Sequence, residues 1–91
     1  MASYLISYDL NGPHPSHKEM DDLIRSISAR AGRALETVWW VDYHGSAAQL
    51  RDRLRATLRR EDRLFVCACK EAAWFNTLLN DASLKNAIEA A

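Results

Sequence analysis

The stretch that decides the fold covers residues 3–10, Ser-Tyr-Leu-Ile-Ser-Tyr-Asp-Leu, and Asn-Gly-Pro follows it at once. Tyrosine and isoleucine favour a pleated strand, whereas Gly12 and Pro13 end one, because proline has no amide hydrogen to donate to a ladder. The stretch also places one acid, Asp9, at the point where the strand gives way to a loop. We therefore predict a first strand in the middle of a small sheet, with Asp9 at its end.

The chain has 91 residues, which is enough for one hydrophobic core, so we predict a single domain over residues 1–91. Hydrophobic residues make up 48% and charged residues 26%, as is typical of a compact globular protein. Twelve basic residues balance twelve acidic ones, which argues against a surface that is basic throughout and leaves a local basic patch open. The sequence opens without a basic and apolar leader and contains no apolar run of about 20 residues, so we expect a cytoplasmic protein without membrane contact.

Two helices are marked by capping boxes, in which a serine precedes a glutamate or glutamine by three residues. Ser16 and Glu19 predict the start of the first helix, and Ser46 and Gln49 that of the second. Apolar residues at steps of three and four predict the buried stripe of the first helix: Met20, Leu23, Ile24, Ile27 and Ala31. Gly32 would end this helix in the left-handed conformation. The same periodicity predicts the buried stripe of the second helix: Ala47, Leu50, Leu54 and Leu58.

Two further stretches have strand character. Residues 34–44 are long for one strand, and a bend near Glu36 would split them into two. Residues 64–69 are nearly all apolar, which predicts a central strand covered on both faces. Cys67 and Cys69 would point to the same face of that strand, so we expect two reduced cysteines that do not bridge. A third helix is predicted over residues 70–79, with a further short one over residues 83–90.

The resulting order of elements predicts a ferredoxin-like βαββαβ sandwich of the α+β class, with an added C-terminal helix. Helices between strands imply crossover connections and hence some parallel pairing. In this arrangement the helices would cover only one face of the sheet. Because Trp39 and Trp40 make both faces of their strand apolar, we predict a homodimer joined through sheet faces or edges.

Four stretches carry a resemblance to a known family: Tyr-Leu-Ile-Ser-Tyr-Asp-Leu at residues 4–10, Glu-Thr-Val-Trp at residues 36–39, residues 46–54 with Leu-Arg-Asp-Arg-Leu, and Glu-Asp-Arg-Leu-Phe-Val at residues 61–66. Across residues 3–75 the chain resembles the SinR-like small bacterial proteins. That group is similar to the CRISPR-associated adaptation subunit family, which is the small partner of the spacer integrase, and to VapD-type toxin ribonucleases. The resemblance implies a ferredoxin-like domain that dimerises.

The resemblance also implies a role for Asp9. In the adaptation family the matching acid lies near the dimer axis, and its two copies are proposed to hold a divalent metal for phosphodiester cleavage, while many members act as scaffolds. This chain departs from the nuclease pattern, because Asn-Gly-Pro-His-Pro follows Asp9 where basic residues are often found, and Val38 stands where a small hydroxyl residue is common. Both departures argue against catalysis.

The residues themselves make Asp9 the first candidate for catalysis and for binding Mg²⁺, which takes one or two carboxylates together with water and phosphate. One carboxylate per chain is not a metal site, so a second copy would have to supply another. The alternative is that Asp9 accepts hydrogen bonds from amides of the turn that follows it. His14 and His17 are further candidates for a general base or a metal ligand, with exposed loop histidines as the plainer interpretation.

The stretch between residues 51 and 63 contains six arginines against three acids. Within it Arg51, Arg55 and Arg59 recur every four residues, which predicts a cationic row on the second helix that could contact phosphates. The alternative is a solvated face with local ion pairs. Trp39, Trp40 and Trp74 could stack on bases, although core positions are more common for tryptophans flanked by aliphatic residues.

Three functions follow from these features. The first is a non-catalytic scaffold or nucleic-acid-associated protein that contacts DNA or RNA through the arginine row. The second is a metal-dependent endonuclease with paired Asp9 carboxylates. The third is a module that binds a protein partner through a free sheet edge or through the terminal helix. We favour the first, because it requires only the fold, a dimer and the arginine row.

Overall fold

The computed structural model describes residues 2–79. Its elements follow in the order β1 (Ala2–Asp9), α1 (His17–Ile27), β2 (Ala31–Leu35), β3 (Val38–Tyr43), α2 (Ala47–Arg55) and β4 (Arg63–Ala68). The four strands form one sheet in the order β2-β3-β1-β4, with every pairing antiparallel. The predicted α+β class is therefore confirmed.

The predicted parallel pairing is wrong. Each helix joins two strands that are not neighbours, because β3 lies between β1 and β2, and β1 lies between β3 and β4. The crossover connections are present, but each one passes over a strand that runs in the opposite direction. Crossovers therefore do not require adjacent parallel strands in this sheet.

The opening strand lies in the middle of the sheet, as predicted. Its Ile6 pairs with Trp39 on one side and with Val66 on the other. Because side chains alternate along a strand, Tyr4, Ile6 and Tyr8 share one face, and all three are buried in the main core beneath the helices. β1 therefore forms hydrogen-bonded ladders with β3 on one side and with β4 on the other.

Both predicted capping boxes are present. The hydroxyl of Ser16 accepts from the amide of Glu19, whose carboxylate accepts from the amide of Ser16, and Ser46 and Gln49 repeat the arrangement at α2. The helices contribute four fully buried side chains to the main core: Met20, Ile24, Leu50 and Leu54.

The end of α1 differs from the prediction. The helix stops at Ile27, and Ala31 and Gly32 belong to β2 instead of to its last turn. The ladder to β3 pairs Ala31 with Val41 and Gly32 with Trp40, so these backbone groups bond across the sheet rather than within a helix. The predicted split near Glu36 is confirmed, since β2 ends at Leu35 and β3 begins at Val38.

The last strand also differs from the prediction. Among the residues that the structure describes, β4 lies at an edge of the sheet and pairs with β1 alone, so the expected central position is wrong. Leu64 and Val66 pack against the main core, whereas Phe65, on the opposite face, is 67% exposed. The apolar run that suggested burial on both faces therefore includes one large side chain that faces solvent.

The predicted third helix over residues 70–79 is wrong, because this segment contains only bends and irregular structure. The segment lies over the sheet face that the helices do not cover. The amide of Leu78 donates to the carbonyl of Ala34 at 2.8 Å, and Trp74 and Leu79 pack against a second cluster formed by Trp40 and Cys69. Apolar side chains that suggested a helical stripe are thus used to cover the sheet. The predicted helix over residues 83–90 lies outside the described residues.

The dimer was predicted because one face of the sheet was expected to lack cover, and residues 70–79 lie over that face. Part of the second sheet face is already occupied by the chain's own residues, although Phe65 beside it remains exposed. The homodimer itself stays a prediction. Cys67 and Cys69 are both free, as expected for reduced cysteines. Over residues 2–79 no helix is both long enough and apolar enough to cross a membrane.

Candidate functional site

The arginines of the predicted row are positioned by α2 and by the turn that follows it. Leu50 and Leu54 are fully buried and fix the rotation of α2, so Arg51 and Arg55, four residues apart, lie together on its exposed side. The helix ends at Arg55, and Arg59 follows in a turn. The prediction that all three arginines lie on one helix is therefore wrong for Arg59.

The three arginines nevertheless line the same feature, an open groove of about 730 Å³ between α2, the turn and β4. A fourth arginine, Arg60, lines it as well, and we call this feature the arginine groove. The described residues that line it are Arg51, Arg55, Leu58, Arg59, Arg60, Asp62 and Leu64. Four guanidinium groups against one carboxylate give the groove a strong positive charge, although the chain as a whole is neutral.

Asp62, the carboxylate among the described residues that line the groove, holds the turn after α2 in place. Asp62 accepts hydrogen bonds from the backbone amides of Asn11 at 2.9 Å and of Arg59 at 2.8 Å. These two amides, that of Asn11 first, lower the pKa of Asp62. The side-chain amide of Asn11 also donates to the carbonyl of Glu61 at 2.6 Å. The loop after β1 is thereby fastened to the turn that bears the arginines.

The arginines differ in how far they are already engaged. Arg51 contacts the neighbouring Asp52 at 2.9 Å, and Nε of Arg59 donates to the backbone carbonyl of His14 at 2.9 Å. Arg55 and Arg60 are exposed and form no ion pair with any residue in the described part of the chain. Their guanidinium groups are the ones most available to an anionic ligand.

Asp9 ends β1, as predicted, and its side chain is 65% exposed. Its nearest charged partner is Arg63, with Nη1 3.9 Å from a carboxylate oxygen. None of the amides in residues 2–79 donates to Asp9, so the predicted turn-capping alternative is wrong. Asp9 also lines a smaller pocket of about 250 Å³ together with Ser7, Tyr8, Arg63, Leu64 and Phe65.

A metal site at Asp9 has no further ligands within one copy of the described residues, where no group of three or more His, Cys, Asp or Glu side chains could hold a metal ion. The adjacent guanidinium of Arg63 opposes a cation at the same place. A Mg²⁺ ion held between the Asp9 carboxylates of two copies stays a prediction.

The two candidate histidines have partners other than Asp9. Nδ1 of His14 lies 2.9 Å from a carboxylate oxygen of Glu19, and this contact, together with the amide of Ser16, lowers the pKa of Glu19 to about 2. The ring of His17 lies against that of Tyr8, with centroids 6.4 Å apart. The structure therefore does not bring the histidines and Asp9 together into one site.

The core positions expected for the tryptophans are confirmed for two of them. Trp39 is buried in the main core, where the guanidinium of Arg25 lies 5.1 Å from its ring centroid, and Trp40 is buried in the second cluster. Neither ring is accessible to a base. Trp74 is half-buried against Trp40.

Sequence reasoning missed two features. One is a buried polar contact in which the hydroxyl of Ser3 donates to Asp42 at 2.9 Å, while Nε of Arg30 lies 3.1 Å from the other carboxylate oxygen. The Asp42 side chain is only 7% exposed, and its position between apolar residues of β3 was the available signal. The other feature is the exposure of Phe65, which the apolar run of β4 concealed.

The class of protein that these observations define is a small α+β domain with a four-stranded antiparallel sheet and two helices in the described residues. Comparison of the chain with protein-family models, with curated protein sequences and with solved structures found no match.

Proposed function

We propose that this chain is a small non-catalytic nucleic-acid-binding protein whose arginine groove holds the phosphate backbone. The observation that carries this proposal is the convergence of four arginines in one groove of a chain without net charge. Guanidinium groups suit phosphates because their fork of N–H donors matches two phosphate oxygens. A groove of this kind supplies affinity without reading the sequence of bases.

Two details of the groove support a binding role over a purely solvated face. Arg55 and Arg60 form no ion pair within residues 2–79, whereas local pairing is what the solvated-face alternative predicts. Asp62 also fixes the turn through two backbone amides, so the arginines that follow α2 are held on an ordered segment. An ordered segment loses less conformational entropy when a ligand binds.

We propose a ferredoxin-like arrangement for the domain. Its support is the βαββαβ order of the elements and a sheet that runs β4-β1-β3-β2 when it is read from the edge formed by β4. The resemblance to SinR-like proteins and to the CRISPR adaptation subunit stays a prediction.

The test is the affinity of the chain for labelled oligonucleotides at about 50 mM salt, measured by fluorescence anisotropy. The double variant Arg55→Ala, Arg60→Ala removes two unpaired cations from the groove and is expected to weaken binding at least about ten-fold. Arg53→Ala is the matched control, because Arg53 lies on the same helix but lines a different pocket, together with Arg30 and His44. Absence of binding, or equal weakening by the control, would refute the proposal.

A further inference from the structure

The exposure of Phe65 is the observation that extends the proposed function. A phenylalanine with 67% of its surface in water, at the edge of a sheet, is not used for packing against the rest of the described chain. The aromatic side chains of the neighbouring strand β1, Tyr4 and Tyr8, are buried, as are Trp39 and Trp40 of β3. Phe65 therefore presents an open aromatic ring, whereas these four rings of the sheet are covered.

Phe65 lies next to the arginine groove. Leu64 lines both the groove and the smaller pocket that contains Phe65, so one residue of β4 separates the two. Because β4 is an edge strand, no further strand among residues 2–79 lies between the groove and the other face of the sheet at this edge. A flexible ligand in the groove can continue over this edge to Phe65.

A cation accompanies the aromatic ring. Arg63 lines the same pocket as Phe65, its side chain is 77% exposed, and its one ion pair within the described residues is the 3.9 Å contact with Asp9. Arg63 and Phe65 lie two residues apart and hence on the same face of β4, about 6.6 Å from each other along the strand. An exposed ring beside a guanidinium group offers one partner for a base and one for a phosphate.

We infer that the ligand of the arginine groove is single-stranded nucleic acid, one base of which stacks on Phe65. The inference rests on the proposed function, since the groove must first hold phosphates. A duplex would satisfy the arginines equally well, but its bases are stacked on one another and offer no free face to an aromatic side chain. Cationic grooves with accessible aromatic rings are the combination that binds single strands.

The experiment compares single strands of about 12 nucleotides, oligo-dT and oligo-rU, with a duplex of the same length in fluorescence anisotropy. Phe65→Ala is expected to weaken binding of single strands at least about five-fold and to leave duplex binding unchanged. Phe65→Trp is expected to retain the affinity, with its added indole emission quenched by oligo-dT or oligo-rU. Phe75→Ala is the matched control, because Phe75 is another exposed phenylalanine that does not line either pocket. The two oligonucleotide arms show whether DNA or RNA is preferred.

Three outcomes would overturn the inference. One is equal affinity of Phe65→Ala and the unchanged chain for both single strands. Another is an equal loss of single-strand and duplex binding. The third is a change of molecular mass in sedimentation with unchanged binding, which would assign Phe65 to a contact between protein chains. In each case the proposed function stands if Arg55→Ala, Arg60→Ala still weakens binding and Arg53→Ala does not, so the two failures are distinguishable.

Discussion

Replacing Gly32 by alanine tests the unexpected path of residues 70–79 across the sheet. A Cβ atom at this position would lie 2.9 Å from Cδ1 and 3.0 Å from Cδ2 of Leu79, and 3.0 Å from Nε1 of Trp40. Carbon atoms in ordinary contact are about 3.5–4.0 Å apart. The end of the Leu79 side chain and the indole of Trp40 must therefore shift by roughly 0.5–1 Å, which loosens the packing of the second cluster.

The expected cost combines two opposing effects. Overpacking of this kind costs about 1–3 kcal/mol, whereas replacing glycine by alanine inside a strand returns about 0.5–1 kcal/mol of backbone entropy. We expect Gly32→Ala to lower the free energy of unfolding by about 1 kcal/mol. For a domain of this size that corresponds to a fall in the melting temperature of about 4–8 °C. Thermal unfolding followed by far-ultraviolet circular dichroism measures it.

A double-mutant cycle with Leu79→Ala identifies the cause. Shortening Leu79 removes both carbon atoms that crowd the new methyl group, so Gly32→Ala should cost less in the Leu79→Ala background. The expected coupling is at least about 0.5 kcal/mol, and the contact with Trp40 accounts for any cost that remains. If Gly32→Ala has the same effect in both backgrounds, or stabilises the chain, then Leu79 does not lie over Gly32 and residues 70–79 do not cover this part of the sheet.

Two further perturbations test the caps and the core. The pKa of Glu19 is lowered from 4.5 to about 2 by His14 and by the amide of Ser16, so its contribution to stability is fully present above pH 4.5 and is lost as the pH falls towards about 2. Denaturant unfolding as a function of pH should show this decline in the free energy of unfolding, and the decline should be smaller in Glu19→Gln. If the unchanged chain and Glu19→Gln lose stability equally as the pH falls, the lowered pKa of Glu19 is contradicted. Leu54→Ala opens a cavity under α2 at a fully buried position and should cost about 2–5 kcal/mol in the same assay, whereas a loss below about 1 kcal/mol would contradict its place in the core.

Local signals in the sequence predicted much of the fold. The capping boxes at Ser16 and Ser46 specify where both helices begin. In each box the side chain of the serine accepts a hydrogen bond from the backbone amide of the third helical residue, and the side chain of that residue accepts one from the backbone amide of the serine. The strand-favouring tyrosines and isoleucine of residues 3–10, together with the glycine and proline after them, specify a strand that ends at Asp9. These features depend only on residues a few positions apart, so they can be read without the tertiary structure.

Features that depend on distant residues were not accessible in this way. Ala31 matches the apolar period of α1, and Gly32 is a residue type that commonly ends a helix, but the backbone groups of both residues belong to the ladder with β3 instead. Residues 70–79 contain a helix-like apolar stripe, yet the uncovered sheet face around Trp40 binds Trp74 and Leu79 as an irregular segment. An apolar strand has the same sequence pattern at the centre of a sheet as at its edge. The exposure of Phe65 could therefore not be predicted from that pattern.

In the candidate site, too, the features that depend on nearby residues were predictable and those that depend on distant residues were not. The spacing of Arg51 and Arg55 placed them together because both lie on α2. Arg59 and Arg60 join them only because the turn after Arg55 reverses the chain, and that turn is held by Asp62 and Asn11 from separate parts of the sequence.

The salt dependence of oligonucleotide binding shows directly whether the arginine groove holds phosphates. The slope of the logarithm of affinity against the logarithm of salt concentration counts the phosphates that are neutralised, at about 0.7 per contact for a single strand. We expect the double variant Arg55→Ala, Arg60→Ala to reduce this slope by about 1.4, and Arg53→Ala to leave it unchanged. Equal slopes for the unchanged chain and both variants would contradict this expectation.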